Sequence, residues 1–140
     1  RRCHGPDRQR AVPPRPGVVF GARLSRQRRE RAGRLAETVA AWLLRLHGYT
    51  ILARRYGTPV GEIDLVAKRG DLVVFVEVKQ RSRTVDALAA LQPRQQARIA
   101  RAAAAYLQRR PQLAHCATRF DLVTIAPWRL PRHVRDVWRA

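Results

Sequence analysis

The most regular pattern of apolar and polar positions lies between Glu30 and His47. Apolar residues recur there as on one face of a helix: Leu35, Val39, Trp42, Leu43 and Leu46. Gly48 follows, and glycine commonly ends a helix because it adopts a left-handed backbone without strain. The pattern therefore predicts a helix over residues 30–47 that packs through this apolar face.

Stretches rich in Val, Ile, Leu and Phe follow the helix and predict β-strands. The first is Tyr49–Leu52, and the next two are Glu62–Ala67 and Leu72–Val78. The segment between the latter two contains a glycine, which suits a tight turn. These two strands are therefore expected to pair as an antiparallel hairpin with Arg69-Gly70 as a two-residue turn.

The second half of the chain is predicted to contain two helices and a strand. Val85–Leu91 has a weaker helical pattern, and Pro93 is well placed to open a longer Ala-rich helix that ends near Arg109. Arg119–Ala126 is predicted to be a strand, and the C-terminal tail is expected to pack across a sheet edge. Three tryptophans are expected to be core residues: Trp42, Trp128 and Trp138. The predicted fold class is α/β, a mixed sheet with a central antiparallel hairpin flanked by helices.

Residues 1–29 differ in composition from the rest of the chain. They are dense in Arg and Pro and lack periodic apolar positions, so they cannot bury enough apolar surface to offset the entropy of ordering. We expect a disordered basic tail at residues 1–29 and one domain at residues 30–140. The chain contains no Met, which leaves open a misplaced start or a processed chain.

The charge of the chain favours a polyanionic partner. It carries 29 Lys and Arg against 10 Asp and Glu, a formal net charge of +19. Nucleic acid is the first candidate; a membrane surface is not expected, because neither a long apolar span nor a bulky amphipathic helix stands out. The widely spaced Cys3 and Cys116 and the lack of a secretory signal favour a cytoplasmic location. Arginine richness can also reflect genomic base composition, so charge alone does not decide the function.

The predicted hairpin brings acidic side chains together. Counting outward from its turn places Glu77 opposite Glu62, with Asp64 diagonally across on the same face. Opposed like charges destabilise a sheet, so such a cluster calls for a cation. Carboxylate oxygens without His or Cys suit a hard divalent ion, Mg²⁺ or Mn²⁺. This placement depends on the register, since one bulge would move Glu77 to the opposite face.

Lys79 is expected to project from the same face as Glu77, two residues further on. A metal that activates a water and neutralises a phosphate oxygen, beside an ammonium that orients or deprotonates that water, is an arrangement for phosphodiester hydrolysis. The alternative is a solvated strand face of alternating charge. Lys68 and Lys79 are the only lysines in this Arg-rich chain, which favours a specific role for Lys79, although Lys68 has no such role in its turn.

Two runs of residues together resemble a known nuclease signature. Gly61–Val66 (GEIDLV) and Val73–Ser82 (VVFVEVKQRS) are similar to the PD-(D/E)XK motif in the form found in the YraN-type family, an uncharacterised family similar to archaeal Holliday junction resolvases. Three flanking features agree: Ala36-Glu37, Ala105–Leu107 and Arg119–Asp121. The resemblance covers about residues 31–138 and implies a restriction-endonuclease-like sheet.

The resemblance also implies roles for individual residues. Asp64 and Glu77 would be metal ligands, Lys79 the catalytic lysine, and Glu37 the acid carried by the first helix. Glu62 is either a further metal residue or an ordinary acid at a strand edge, and Glu37 points either toward the sheet or toward solvent. Resolvase-like relatives act as dimers, so the resemblance raises a homodimer as an expectation, although the sequence locates no interface.

Two departures from the family pattern affect these roles. Gln95 stands where the family usually carries a lysine, so a chemical role for that position is in doubt. If the usual lysine contacts DNA, Arg94 or Arg98 would substitute for it. Arg54-Arg55 stands where an Arg-Asn pair is common.

Further basic and polar residues are candidates for contacts with nucleic acid. Arg94, Arg98 and Arg101 form a stripe on the second long helix, which is either a phosphate-binding face or simply a solvated one. The complete candidate set is Arg81, Arg83, Arg94, Gln95, Arg98 and Arg101. The predicted function is metal-dependent endonucleolytic hydrolysis of nucleic acid, most simply DNA, with branched DNA as one substrate. The alternative is a non-catalytic nucleic-acid-binding or assembly factor that retains the nuclease fold.

Overall fold

The structure is a computed structural model that describes residues 17–140, with side chains described from Arg26 on. The elements follow in the order α1 (Gly17–Leu46), β1 (Thr50–Thr58), β2 (Gly61–Arg69), β3 (Leu72–Gln80), α2 (Thr84–Ala90), α3 (Pro93–Gln108), a 3-10 turn (Pro111–Leu113), β4 (Ala117–Ile125) and β5 (Arg132–Trp138). The strands form one sheet in the order β1-β2-β3-β4-β5, and only β3 and β4 are parallel. The predicted α/β class, with a restriction-endonuclease-like mixed sheet, is confirmed.

The first helix is longer than predicted. It begins at Gly17 rather than at Glu30, so residues 17–29, expected to belong to a disordered tail, are helical. This segment contains no proline and has four arginines, one leucine and one glutamine, which favour helix, and these propensities outweigh its lack of a clear apolar face. Residues 1–16 of the expected tail lie outside the described residues.

The face through which α1 packs is also different from the predicted one. Its buried residues are small or moderate in size: Ala36, Ala40, Ala41 and Leu44. Leu35, Trp42 and Leu46 point outward and are 66%, 59% and 81% exposed. Alanines allow the helix to approach the sheet more closely than bulky residues would, so the small-residue arc faces the sheet. The expectation that all three tryptophans are core residues was also wrong, because only Trp138 is buried and Trp128 is fully exposed.

The hairpin of β2 and β3 is formed as predicted, but with a different turn. Arg69 pairs with Leu72, so the turn residues are Gly70 and Asp71 rather than Arg69 and Gly70. Gly70 has a φ of +57°, which a two-residue turn of type II′ requires at its first position. The pairing is therefore displaced by two residues, so the paired residues of the hairpin keep the faces that were predicted for them.

The sheet is covered on both faces. On one face, α1 packs on Leu65, Val74, Val76 and Val123. On the other face, Ile99 and Tyr106 of α3 pack in a second core with buried residues of the sheet: Ile63, Val66, Val73, Phe75, Phe120 and Trp138. The sheet, α3 and the part of α1 from Ala32 onward belong to one compact unit, Ala32–Ala140. None of the described helices has the length and apolar character that a membrane span requires.

A buried ionic network holds the edge strand β5, where the sequence predicted only a packed tail. Asp121 of β4 has no exposed surface and accepts hydrogen bonds from Arg119 Nε and Nη2, both at 2.7 Å. It also contacts His133 Nε2 at 2.6 Å and accepts a bond from the amide of Asp136 at 2.9 Å. Burial raises the pKa of Asp121, but these hydrogen bonds outweigh that effect and hold it below its ordinary value.

Candidate metal centre

The regular hydrogen bonding between β2 and β3 stops at the residues of the predicted metal site. Backbone pairing extends from the turn to Leu65 and Val76. Beyond that point, Asp64 Oδ2 accepts a hydrogen bond from the amide of Val78 at 2.8 Å, so a side chain replaces a backbone carbonyl as the acceptor. Ile63 and Val66 pack in the same core although strict alternation would separate them, so β2 is irregular at this position. Asp64 is thereby held beside Glu77.

An acidic cavity lies between this irregular strand and α3. It has a volume of about 250 Å³ and is lined by Glu62, Asp64, Glu77, Gln95, Arg98 and Ile99. Gly61 allows the close approach of β2 and α3, because a Cβ at this position would lie 2.5 Å from the backbone oxygen of Arg98. The cavity therefore collects residues of two strands and a helix.

The carboxylates in this cavity are unfavourable as charged groups. Burial, followed by the charge of Asp64, raises the pKa of Glu77 to about 8, although Lys79 partly opposes this rise. Burial also raises the pKa of Asp64, and the charges of Glu37 and Glu62 add to the effect. The Val78 amide and a hydrogen bond with Glu77 act in the opposite direction. A positive ion among these oxygens would allow both carboxylates to ionise.

Glu37 approaches the same cluster from α1. Of the two orientations considered from the sequence, the structure shows the one toward the sheet, with only 8% of the residue exposed. Arg55 Nε donates a hydrogen bond to Glu37 Oε2 at 2.6 Å. That bond raises the pKa of the Arg55 guanidinium. The pair fixes a third carboxylate near Asp64.

The backbone conformation at Arg55 explains why this position can hold Asn, which the resemblance led us to expect in place of Arg55. Its φ is +50°, in the left-handed region that Asn adopts more readily than most residues. The position therefore suits the Asn that the resemblance led us to expect there. Arg accepts the backbone strain and adds the ion pair with Glu37, a contact that the sequence did not reveal because arginine is abundant throughout the chain.

Lys79 and Gln95 complete a polar network on the α3 side. Lys79 Nζ lies 3.2 Å from Glu77 Oε1 and donates to Gln95 Oε1 at 3.3 Å. Gln95 Nε2 donates to the same Glu77 oxygen at 2.8 Å. Gln95 therefore bridges the acid and the lysine, which an ammonium at its position could not do, because it has no acceptor.

The predicted site residues fall into three groups. Glu37, Asp64, Glu77, Lys79 and Gln95 are brought together, and Glu62 and Arg98 lie at the cavity with exposed side chains. Arg94 and Arg101 are exposed on α3 and do not line the acidic cavity. Arg81 and Arg83 line a separate cavity together with Arg129 and Arg132, two arginines that were not predicted as site residues.

Comparison with known protein families identifies the group to which the chain belongs. The model of an uncharacterised protein family, UPF0102, matches residues 36–125, more than half of the chain. The chain belongs to UPF0102. This family is the YraN type, so the family predicted from the two motif runs is confirmed.

Close relatives of this UPF0102 member carry only the family name. This chain is 56% identical over 117 residues to the UPF0102 protein amb4503 of Paramagnetospirillum magneticum, and the match covers 81% of this chain and 91% of the relative. It is 50% identical over 119 residues to a UPF0102 protein of Chelativorans sp., covering 85% and 96% respectively. A third, from Parvibaculum lavamentivorans, is 54% identical over 109 residues, covering 78% and 82%. The UPF0102 chain thus spans most of each relative.

Proposed function

We propose that the protein is a divalent-metal-dependent endonuclease that hydrolyses phosphodiester bonds in DNA. The observation that carries the proposal is the convergence of Glu37, Asp64 and Glu77 beside Lys79, where two sheet strands part. The net charge of +19 supports a nucleic acid as the substrate.

The residues present fit a hard divalent cation. The polar groups that face the acidic cavity from the sheet and from Gln95 offer oxygen donors, without the His or Cys that zinc prefers. The pKa of about 8 for Glu77 is that of a carboxylate whose charge lacks compensation, which a cation would supply. Asp64 and Glu77 would hold Mg²⁺ or Mn²⁺, with Glu62 at the rim. Such an ion supplies charge neutralisation at a phosphate and acidifies a water.

The protein's own groups have separate tasks in this proposal. Lys79 is held by Glu77 and Gln95, so its ammonium has a fixed position from which to stabilise a phosphate oxygen or orient a water. Glu37 keeps negative charge near Asp64, and Arg55 fixes its position. Arg98, an exposed residue that lines the cavity, would contact the DNA backbone.

A second candidate is a DNA-binding protein that retains this fold without cleaving. The observation that favours it is the Gln95 bridge, which satisfies both Glu77 and Lys79 without an ion. A site whose polar groups are already paired has less need of a cation.

Cleavage assays distinguish the two candidates. Labelled linear, flapped and four-way DNA would be incubated with Mg²⁺ or Mn²⁺ and the wild type, Asp64→Ala or Lys79→Ala. We expect wild-type cleavage of at least one substrate, and a loss of about 100-fold or more in either variant. Lys68→Ala is a matched control, because Lys68 is the only other lysine and, among the described residues, forms no salt bridge or hydrogen bond with Glu77 or Gln95 as Lys79 does.

The outcome that contradicts the endonuclease is equally specific. If the wild type binds these DNAs but cleaves none of them, and both variants bind as tightly as the wild type, the binding protein is the correct interpretation. Loss of cleavage in Lys68→Ala to the same extent as in Lys79→Ala would remove the specific role of Lys79.

A further inference from the structure

A second cavity, beside the acidic one, is lined by arginines. Its volume is about 330 Å³, and four arginines line it: Arg81, Arg83, Arg129 and Arg132. Ser82 and Thr84 add hydroxyl groups, and no acidic residue is among the lining residues. We call these four arginines and the space between them the arginine pocket.

The charges in the arginine pocket have no partners within the described part of the chain. No carboxylate there forms a salt bridge with any of the four arginines. Arg129 Nη1 donates to the backbone oxygen of Ser82 at 3.2 Å, and Arg81 Nη1 donates to its neighbour's backbone oxygen at 2.8 Å. Each guanidinium has five N–H donors, so most donors remain available to a ligand. Four like charges that line one cavity favour an anion between them.

The register of the sheet places the arginine pocket next to Lys79. Lys79 on β3 pairs with Thr124 on β4, and Thr124 pairs with Arg132 on β5. Paired side chains point to the same face, and neighbouring strands lie about 4.8 Å apart, so the backbones of Lys79 and Arg132 are roughly 10 Å apart. The acidic cavity lies on the β2 side of Lys79, and the arginine pocket on its β4 side.

The chemistry of the pocket matches phosphate. Guanidinium groups are planar forks that bind two phosphate oxygens at once, and they remain charged at any physiological pH. A nucleic-acid strand presents phosphates at regular intervals, and a strand crossing the ends of β3 and β4 would reach both cavities.

We propose that the arginine pocket binds a backbone phosphate of the nucleic acid, on the strand that enters the acidic cavity. This inference rests on the proposed function, and it adds that affinity is concentrated at one defined place rather than spread over the basic surface.

The test compares two variants of equal net charge in the full chain. Arg129→Gln/Arg132→Gln removes two charges from the arginine pocket, and Arg109→Gln/Arg135→Gln removes two exposed charges elsewhere. Binding of a labelled duplex would be measured by fluorescence anisotropy at several salt concentrations, in EDTA so that no cleavage occurs. We expect the slope of log K against log[salt] to become shallower by about 0.9 in the pocket variant, since each contacted phosphate contributes about 0.9 and the pocket binds one. The control variant should keep the wild-type slope.

Other outcomes overturn the proposal. Equal loss in the two variants would mean that binding follows total charge and that the pocket is not a specific site. Stabilisation of the wild type by inorganic phosphate, with duplex binding unchanged in the pocket variant, would mean that it takes a free phosphate instead. If the first variant fails to melt cooperatively, Arg81→Gln/Arg83→Gln tests the same pocket from the other side.

Failure of the proposed function is distinguishable from failure of this one. The binding measurement needs neither metal nor hydrolysis. If the protein never cleaves DNA, but the slope of log K against log[salt] falls only in the pocket variant, the arginine pocket is supported and the endonuclease is refuted.

Discussion

The substitution Glu77→Gln should make the ion-free protein more stable at neutral and alkaline pH. Glutamine is neutral and nearly the same shape, and its carbonyl oxygen can still accept the hydrogen bonds from Lys79 and Gln95. Its amide N–H can donate to the Asp64 carboxylate, as the carboxyl proton of a neutral Glu77 would. The variant therefore imitates protonated Glu77 at every pH.

The sign and size of the effect follow from the raised pKa. An acid with a folded pKa of about 8 and an ordinary value of 4.5 binds its proton more tightly in the folded protein. The free energy of unfolding therefore falls as the pH rises from about 4.5 through 8. At about 1.4 kcal/mol per pH unit, this amounts to roughly 3 kcal/mol at pH 7 and roughly 5 kcal/mol above pH 8. Glu77→Gln removes that loss.

Urea denaturation in EDTA between pH 5 and pH 9 measures the effect. Most other titrating groups behave alike in both proteins, so the difference between their free energies of unfolding reports on Glu77 and on its interaction with the neighbouring Asp64. The difference should be below about 1 kcal/mol at pH 5 and should grow with pH. A difference that stays constant over this range would refute the buried, repelled carboxylate. Added Mg²⁺ should then stabilise the wild type more than the variant, which narrows the gap.

Three further predictions use other parts of the fold. Asp121→Asn should lower the free energy of unfolding by about 3 kcal/mol at neutral pH, and by less below about pH 4, because the lowered pKa of Asp121 gives stability that is lost on acidification. Urea denaturation at pH 3 and pH 7 checks this, and a difference between wild type and variant that is larger at pH 3 would contradict it. Gly61→Ala should lower the free energy of unfolding by about 1–3 kcal/mol, because the added Cβ would meet the backbone of α3. Gly57→Ala is the control, because a Cβ there has open space, and equal melting temperatures for the two variants would disprove the close approach. Gln95→Lys should place an ammonium beside Glu77, which lowers the pKa of Glu77, so that the free energy of unfolding depends on pH over a lower pH range. An unchanged pH range would show that the two side chains do not interact.

The acidic cluster could be predicted from the sequence even though the hairpin turn was predicted wrongly. A strand repeats its side-chain direction every two residues, and the true register differs by two. Asp64 and Glu77 therefore stay on one face whichever turn is used. The irregularity at Asp64 was not predictable, because it arises from a hydrogen bond between a side chain and a backbone amide on the neighbouring strand.

The packing of α1 and the arginine pocket could not be predicted for different reasons. Both arcs of α1 have helical periodicity, and only the distance to the sheet decides that the alanine arc is buried. Arg129 and Arg132 are two among 29 basic residues, so nothing in the sequence distinguishes them. Their relevance comes from the pairing of β4 with β5, which brings Arg132 toward Lys79 through Thr124.

The hydrogen bond from the Val78 amide to Asp64 has a consequence for experiments on this protein. The amide hydrogen of Val78 is protected from exchange with solvent only while the Asp64 carboxylate remains in place. Exchange with deuterium at this single amide would therefore report on the state of the acidic cluster without any substrate. The exchange rate of the Val78 amide would measure how firmly the Asp64 carboxylate is held, and a slower rate on addition of Mg²⁺ would show that the ion binds at the acidic cluster.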